Sequence, residues 1–280
     1  MNFGAQGLTV RFGRRLALSD VDLELPPGEV RVVVGGDGAG KTTLLEVLAG
    51  ARTASAGEVR RPSAERIGYL PATSGVYPDL SVAENLAFRA AAYRMPRAVF
   101  AERRAALLGA GGLLGHEGRL GGELSGGMRQ KLGVIGAMLA QPDLLVLDEP
   151  TTGVDPASRR DLWRLIAHAA ADGAAVVVAT TYLDEAERAV ELVLLEAGRV
   201  LAHGAPEAVR GAMPGLLLDG GAAPPAAELE RAWRRGARWR LWRPGAAKVE
   251  LEGWREVAPD LEDAVTVALL ARKTAEGVAQ

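Results

Sequence analysis

The chain has 280 residues, 48% of them hydrophobic, and a formal net charge of −2. That length and composition suit one or two domains with a sizeable core, and the near-neutral balance argues against a global nucleic-acid-binding field. Cysteine is absent, which excludes disulfides, thiol catalysis and Cys-based zinc sites and suits a reducing compartment.

The opening MNFGAQGLTVRFGRR has no apolar stretch before its basic residues, so no secretory signal is expected. Val21, Leu23 and Leu25 alternate with polar residues and predict a half-buried strand. Val30–Val34 is a continuous apolar run, the pattern of a strand covered on both faces. It feeds GGDGAGKTT (Gly35–Thr43), after which KTTLLEVLA predicts a helix closed by Gly50. Ser81-Val82-Ala83-Glu84 is a capping box, and Ala87–Leu108 reads as a helical surface. Gly109–Gly122 reads as loop. The longest apolar run, Leu132–Ala140, is well short of the roughly 18–20 residues of a spanning helix. A soluble protein is expected, one that reaches a membrane only through a partner.

Leu144–Leu147, Ala175–Ala179 and Leu192–Leu195 are further buried strands alternating with helical stretches, which predicts a parallel α/β sheet. Asp155-Pro156 opens one of the helices, with Asp as cap and Pro at the first position. After about residue 210 the character changes. Gly220–Pro225 is a linker or turn cluster, RWRLWR and KVELEGW read as short strands, and Asp260–Ala271 as a closing helix. Arg231–Arg243 holds six Arg and three Trp. The expected arrangement is a strand pair with Trp239 and Leu241 inward and the arginines solvated. A surface for lipid headgroups or single-stranded nucleic acid is the alternative.

The loop Gly35, Gly36, Asp37, Gly38, Ala39, Gly40, Lys41, Thr42 and Thr43 has the form G-x-x-x-x-G-K-T. Glycines let the backbone approach phosphate, and amides at the helix start cradle the anion. Lys41 can reach the β- and γ-phosphates, and the Thr42 hydroxyl can ligate Mg²⁺. Asp148, at the end of the strand Leu144–Leu147, suits metal holding, and Glu149 is the candidate to orient or deprotonate an attacking water.

With these two motifs stands Leu124-Ser125-Gly126-Gly127-Met128, just before a helix. The three segments in this order resemble the ATPase subunit of an ABC transporter over residues 1 to about 210. The resemblance implies ATP and Mg²⁺ as ligands and a P-loop NTPase core of ABC type. That core is a mainly parallel sheet with N-terminal antiparallel strands. It implies a helical subdomain inserted at about 73–141 and leaves 211–280 as a small α+β accessory domain. It implies that the segment Leu124–Met128 contacts ATP bound by a second ABC ATPase domain, in a homo- or heterodimer. Asp155 then falls in the D-loop, and Phe12 either stacks on adenine or is a core side chain. YPDLSVAENL, TTGVDPASRR and APDLEDAVTVALL are similar to the ABC-2 export group, although Val265 stands where that group often has Phe. An ABC-2 type transmembrane permease is the implied partner, received near Ala72–Leu80 and the first helices of the inserted subdomain. The implied location is cytoplasmic, peripheral at the inner face of the cell membrane. No nucleic acid partner is expected. A GTPase is disfavoured by the lack of N-K-x-D, and a translation or repair role by the lack of a second ATPase domain or long coiled coil.

The sequence departs from that family at two switch positions. Ala72 follows Tyr69-Leu70-Pro71 where a Gln is expected, and Thr181 stands where His is expected. Thr181 offers a hydroxyl that can cap the following helix with Asp184. His116 in the Gly-rich loop, His168 in a helix and His203 in a surface turn are not expected to replace the lost histidine. Asp37 replaces the usual Asn and adds negative charge beside the phosphates. Losing one group that stabilises a transition state typically costs about 10²–10³ in rate. The departures resemble those of the first halves of tandem ABC-2 ATPases. An own site of reduced activity is therefore expected, with a largely non-hydrolytic regulatory subunit of a heterodimer, or a non-transport ABC protein, as the alternatives.

Overall fold

The computed structural model describes residues 2–245 and 251–278. They form two compact units, residues 1–200 and 201–280. The structural boundary falls ten residues before the change of composition at 210.

In chain order the first unit comprises β1 (Phe3–Phe12), β2 (Arg15–Leu25), β3 (Val30–Val34), α1 (Lys41–Ala49), β4 (Ala56–Arg60), β5 (Ile67–Leu70), α2 (Val82–Ala92) and α3 (Arg97–Ala110). It continues through α4 (Gly126–Met138), β6 (Leu144–Asp148), α5 (Pro156–Ala171), β7 (Ala175–Thr180), α6 (Leu183–Ala186) and β8 (Glu191–Glu196). The strand β9 (Arg199–Gly204) carries the chain across the boundary and includes His203, expected in a turn. The stretch Ala87–Leu108 is two helices, because Arg94 takes a left-handed backbone (φ 53°) and Pro96 opens α3.

Two sheets sandwich α1. The antiparallel one has the order β2-β1-β4. The parallel one runs β5-β6-β7-β3-β8, as the apolar runs predict. One core joins Leu8, Val21 and Leu23 of the first sheet, Leu44, Leu45 and Leu48 of α1, and Val33, Val146 and Val177 of the second. Truncating one such leucine to alanine costs about 2–5 kcal/mol. Because β7 lies between β3 and β6, the loop after β3 and the carboxylates ending β6 emerge at the same carboxyl edge of the sheet. That edge is where open α/β sheets bind ligands.

The second unit continues with α7 (Pro206–Gly211), β10 (Leu216–Gly220), β11 (Ala232–Arg235), β12 (Arg238–Arg243), β13 (Trp254–Glu256) and α8 (Leu261–Val278). Its antiparallel sheet has the order β11-β12-β10-β13. β10 occupies LLLDG and takes in Gly220, the first residue of the expected turn cluster. In KVELEGW, Lys248–Glu250 lie outside the described residues and Trp254 begins β13. The buried side chains of β12 are Leu241 and Trp242, not Trp239. The Trp242 indole donates to the Pro214 carbonyl at 2.7 Å.

Arg235, Arg238, Arg240, Arg243 and Arg255 of this sheet are ion-paired rather than merely solvated. Asp219 on β10 lies opposite Arg240 and Arg255 in register, accepts from Arg238 Nε at 2.6 Å and from Arg240 Nη1 at 2.7 Å. Burial pushes the Asp219 carboxyl up, but the Arg238 hydrogen bond and the three guanidinium charges hold it below the ordinary value. Arg243 pairs with Glu228 at 2.8 Å, and Arg235 with Asp263 at 3.1 Å and with Asp260.

Candidate nucleotide site

β3 delivers Gly35 into a turn with no room for a side chain, since a Cβ there would stand 2.9 Å from Ala39 Cβ. Gly38 and Gly40 take φ of 78° and 109°, conformations that glycine adopts without strain. α1 starts at Gly40 with no side-chain cap, whereas Ser81, Ser125 and Asp155 cap α2, α4 and α5 through side-chain oxygens. A cleft of about 600 Å³ covers this turn, lined by Phe12, Arg15, Leu16, Ala17, Asp37–Thr43, Glu149 and Ala197. Phe12 is 44% exposed, which sets aside the core reading, and the Arg52 guanidinium lies 4.5 Å from its ring centroid.

Lys41 is buried in the floor of this cleft. Its ammonium donates to the carbonyls of Gly35 at 2.8 Å and Gly36 at 3.2 Å and stands 3.6 Å from Glu149 Oε1. Asp148 lies behind, fully buried, with no hydrogen-bond partner for either carboxylate oxygen. Burial pushes its pKa up. The Thr42 hydroxyl and the Lys41 charge pull it back down, and the Glu149 and Glu46 charges raise it further. An anionic carboxylate buried without a partner is expensive. Such an orphaned hard-oxygen donor beside a threonine hydroxyl is the donor set that suits Mg²⁺.

Glu149 adopts φ 48°, an uncommon conformation for a side chain of this kind. Its amide donates to the Ala179 carbonyl at 2.9 Å, its carboxylate accepts from the Thr152 hydroxyl at 3.0 Å, and its carbonyl accepts from Gln130 Nε2 at 3.4 Å. Thr152, Gln130, Arg15 and Ala197 were not legible as site residues. A hydroxyl three positions after Glu149 is a signal that could have found Thr152. For Arg15 no motif exists.

The other expected residues stand apart from this cleft. Ser125 accepts from the Met128 amide at 3.2 Å, and Leu124 is buried beneath it. A Cβ on Gly127 would stand 2.9 Å from Ser158 Oγ and 3.3 Å from Asp155 Oδ2, so the starts of α4 and α5 abut. Asp155 caps α5 by accepting from the amides of Ala157 and Ser158, each at 3.0 Å. Two helix N-termini side by side concentrate positive dipole ends. Arg129 braces the approach by donating to the Leu124 carbonyl at 3.2 Å. None of Leu124–Met128, Asp155, Ala72 or Thr181 lines the cleft.

The expected cap at Thr181 is overturned. α6 begins after Tyr182 with no side-chain cap, and it is the neighbouring Thr180 hydroxyl that accepts from the Tyr182 amide at 3.0 Å. Thr180 is buried at the end of β7 and is the hydroxyl placed to reach that amide, while Thr181 turns to solvent.

Comparison with known proteins places these features in context. Residues 18–152 match the family described as ABC transporter. The chain is 39% identical over 213 residues to the probable multidrug ABC transporter ATP-binding protein YbhF of Escherichia coli (strain K12), covering 71% of this chain and 36% of that protein. It thus spans little more than a third of that relative's length. It is 36% identical over 206 residues to Nod factor export ATP-binding protein I of Cupriavidus metallidurans, covering 70% of this chain and 68% of that one. A solved ATP-binding subunit of an ABC transporter superposes with a TM-score of 0.69 at 28% identity, covering 75% of this chain and 92% of that chain. The dimeric structure of a bacterial ABC transporter cassette gives 0.65 at 23% identity, covering 72% and 98%, a likeness of fold.

Proposed function

The chain belongs to the ABC transporter ATP-binding family, and from that premise we propose that it is the ATP-binding subunit of an ABC-2 type exporter. The observation that carries the reading is Asp148: a buried carboxylate with neither oxygen in a hydrogen bond of good geometry, set near the Thr42 hydroxyl, the Lys41 ammonium and the Glu149 charge. The amides of Gly38–Thr43 bind the triphosphate, and Phe12 offers its exposed ring to adenine. Lys41 exchanges its loop carbonyls for β- and γ-phosphate oxygens. Thr42 and Asp148 would hold Mg²⁺, which would supply positive charge to offset that of the phosphates. Glu149, held by Thr152, orients the attacking water and takes its proton.

In this reading a second ABC ATPase domain supplies the signature that closes over this cleft, and Leu124–Met128 close over the partner's nucleotide. A transmembrane permease docks near Ala72–Leu80, which keeps the chain at the inner face of the membrane. Residues 1–200 are the nucleotide-binding unit, and the following unit is accessory. The relatives' multidrug and Nod factor exports are properties of those proteins, and the cargo here lies with the permease.

A second reading is favoured by Ala72 and Thr181. This pocket hydrolyses slowly, and the chain's larger catalytic share is the signature that it presents to a partner. The test is ATP hydrolysis by the purified full chain, alone and mixed with the candidate partner subunit. We expect slow turnover alone, stimulation on mixing, and abolition of the stimulated rate by Ser125→Arg. Glu149→Gln in this chain should reduce the stimulated rate by less than half. Brisk turnover by the chain alone that Glu149→Gln abolishes would refute the slow-pocket reading and leave the ATPase assignment standing.

A further inference from the structure

The loop between β5 and α2 is fastened from one face of α2. Asn85 is buried, and its side chain accepts from the Tyr77 amide at 2.8 Å and donates to the carbonyls of Tyr77, Leu80 and Ser81, each at 3.0 Å. One turn further along, Arg89 Nη2 donates to the Gly75 carbonyl at 2.9 Å. Residues four apart share a helix face, so α2 grips both halves of the loop.

Arg89 has a second neighbour. On α4, a Cβ at Gly136 would stand 2.6 Å from Arg89 Cδ and 2.7 Å from its Nε. One turn earlier, a Cβ at Gly133 would stand 2.6 Å from the Ser74 carbonyl oxygen and from Leu70 Cδ1. Two glycines therefore open the side of α4 to the loop backbone and to the Arg89 stem. Ser74 and Gly75 both take left-handed backbones, with φ of 64° and 57°. The loop is held by this clamp in a conformation that Ser74 adopts only with strain.

Arg89 is a costly way to fill that space. Burial pulls its guanidinium below the ordinary value, opposed by the Tyr93 and Tyr77 phenols. Among the described residues no carboxylate pairs with it. An apolar side chain would pack against Gly136 without that desolvation, but it could not hold the Gly75 carbonyl.

We propose that Arg89 is a positioning residue that makes the loop 71–75 and the helix α4 move as one body. Displacement of the loop is thereby delivered to Ser125–Met128 at the far end of α4. This inference rests on the proposed function for its consequence, that a partner acting on the loop is felt at the second nucleotide. The route does not use position 72, where Ala offers no hydrogen bond.

The experiment compares the full chain with Arg89→Met, Arg89→Lys and Gly136→Ala. Amide hydrogen exchange is read at residues 71–80, 124–130 and 35–43, and hydrolysis of MgATP beside it. In Arg89→Met, exchange should rise about fivefold at 71–80 and at 124–130, the size of a modest coupling energy, while residues 35–43 stay unchanged. Gly136→Ala, which leaves the arginine but drives a methyl into its stem, should do the same. Arg89→Lys, which keeps a donor, should restore part of the protection at 124–130. Faster exchange confined to 71–80 would overturn the proposal and leave Arg89 as a staple of the loop. A uniform rise in every segment for both Arg89→Met and Gly136→Ala would overturn it too. Loss of hydrolysis without the change at 124–130 would count against the inference alone. The exchange pattern appearing in a chain that neither binds nor hydrolyses MgATP would sustain it and count against the proposed function.

Discussion

The nucleotide cleft and the arginine-rich sheet both concentrate charge, and they treat it in opposite ways. In the sheet the buried and half-buried carboxylates lie against guanidinium groups: Asp219 meets Arg238 and Arg240, Glu228 meets Arg243, and Asp263 meets Arg235. In the cleft, Asp148 is buried with both oxygens unpaired, and Lys41 is held chiefly by backbone carbonyls. Matched charge is architecture, since breaking it costs stability and it offers nothing to a ligand. An unmatched buried carboxylate is costly as an anion, so it either takes up a proton or is completed by a cation from outside the chain. The comparison favours reading Arg231–Arg243 as a folded sheet over a lipid or nucleic-acid surface, although composition alone allowed both.

The contrast can be broken at its sharpest point by Asp148→Asn. At neutral pH a carboxyl whose folded pKa is raised above its unfolded value weighs against folding. The amide should therefore stabilise the nucleotide-free chain by about 1 kcal/mol. It should also cut hydrolysis at this pocket by about 10²-fold or more. Thermal unfolding and turnover, measured on one preparation, check the two opposite signs; a destabilised apo protein would mean that Asp148 is structural.

Asp219→Ala should do the reverse, costing about 2–3 kcal/mol of stability with nucleotide affinity unchanged. The figure lies below that of a wholly buried pair because Arg238 and Arg255 reach solvent. The pH dependence has a defined sign. Asp219, Glu228 and Asp260 have folded pKa values below the ordinary ones. Their contribution is present above the unfolded value of about 4 and is lost as pH falls through the depressed values. Asp263, pushed up by burial, runs the other way. Denaturant titrations between neutral pH and acid should show the loss, and Asp219→Ala should flatten it.

The smallest expected change is at Phe12. Phe12→Ala should weaken ATP binding about five- to tenfold through lost stacking, without altering the unfolding midpoint. Inorganic pyrophosphate, which has no base, should bind the variant as well as the wild type. An equal loss for both would show the ring to be a support for the loop.

Much of this was legible in advance. The strand-loop-helix at Val30–Ala49 and the capped starts at Ser81 and Asp155 follow from local chemistry, and the structure shows each of them. The less legible features depend on distance along the chain. Asp219 finds its arginines on two other strands, and β10 was hidden because LLLDG runs straight into a turn-rich cluster. Arg89 reads as one basic residue among several on a helical surface until Gly75 and Gly136 are brought against it. Thr180 and Thr181 differ only in which of them the strand end buries. Whether Phe12 was core or surface could not be read from a strand whose sides were undetermined.

The bare start of α1 has a consequence beyond binding. Three other helices carry their own oxygen at the first turn, and α1 leaves its leading amides to whatever anion enters the glycine turn. An anion seated in that turn would satisfy those amides and so add to the stability of the helix packed between both sheets. Any ligand that binds only the folded state adds RT ln(1 + [L]/Kd) to its stability. The persistence of the folded chain should therefore track the nucleotide concentration around it, and a cell short of ATP would hold less of this protein as well as a less active one.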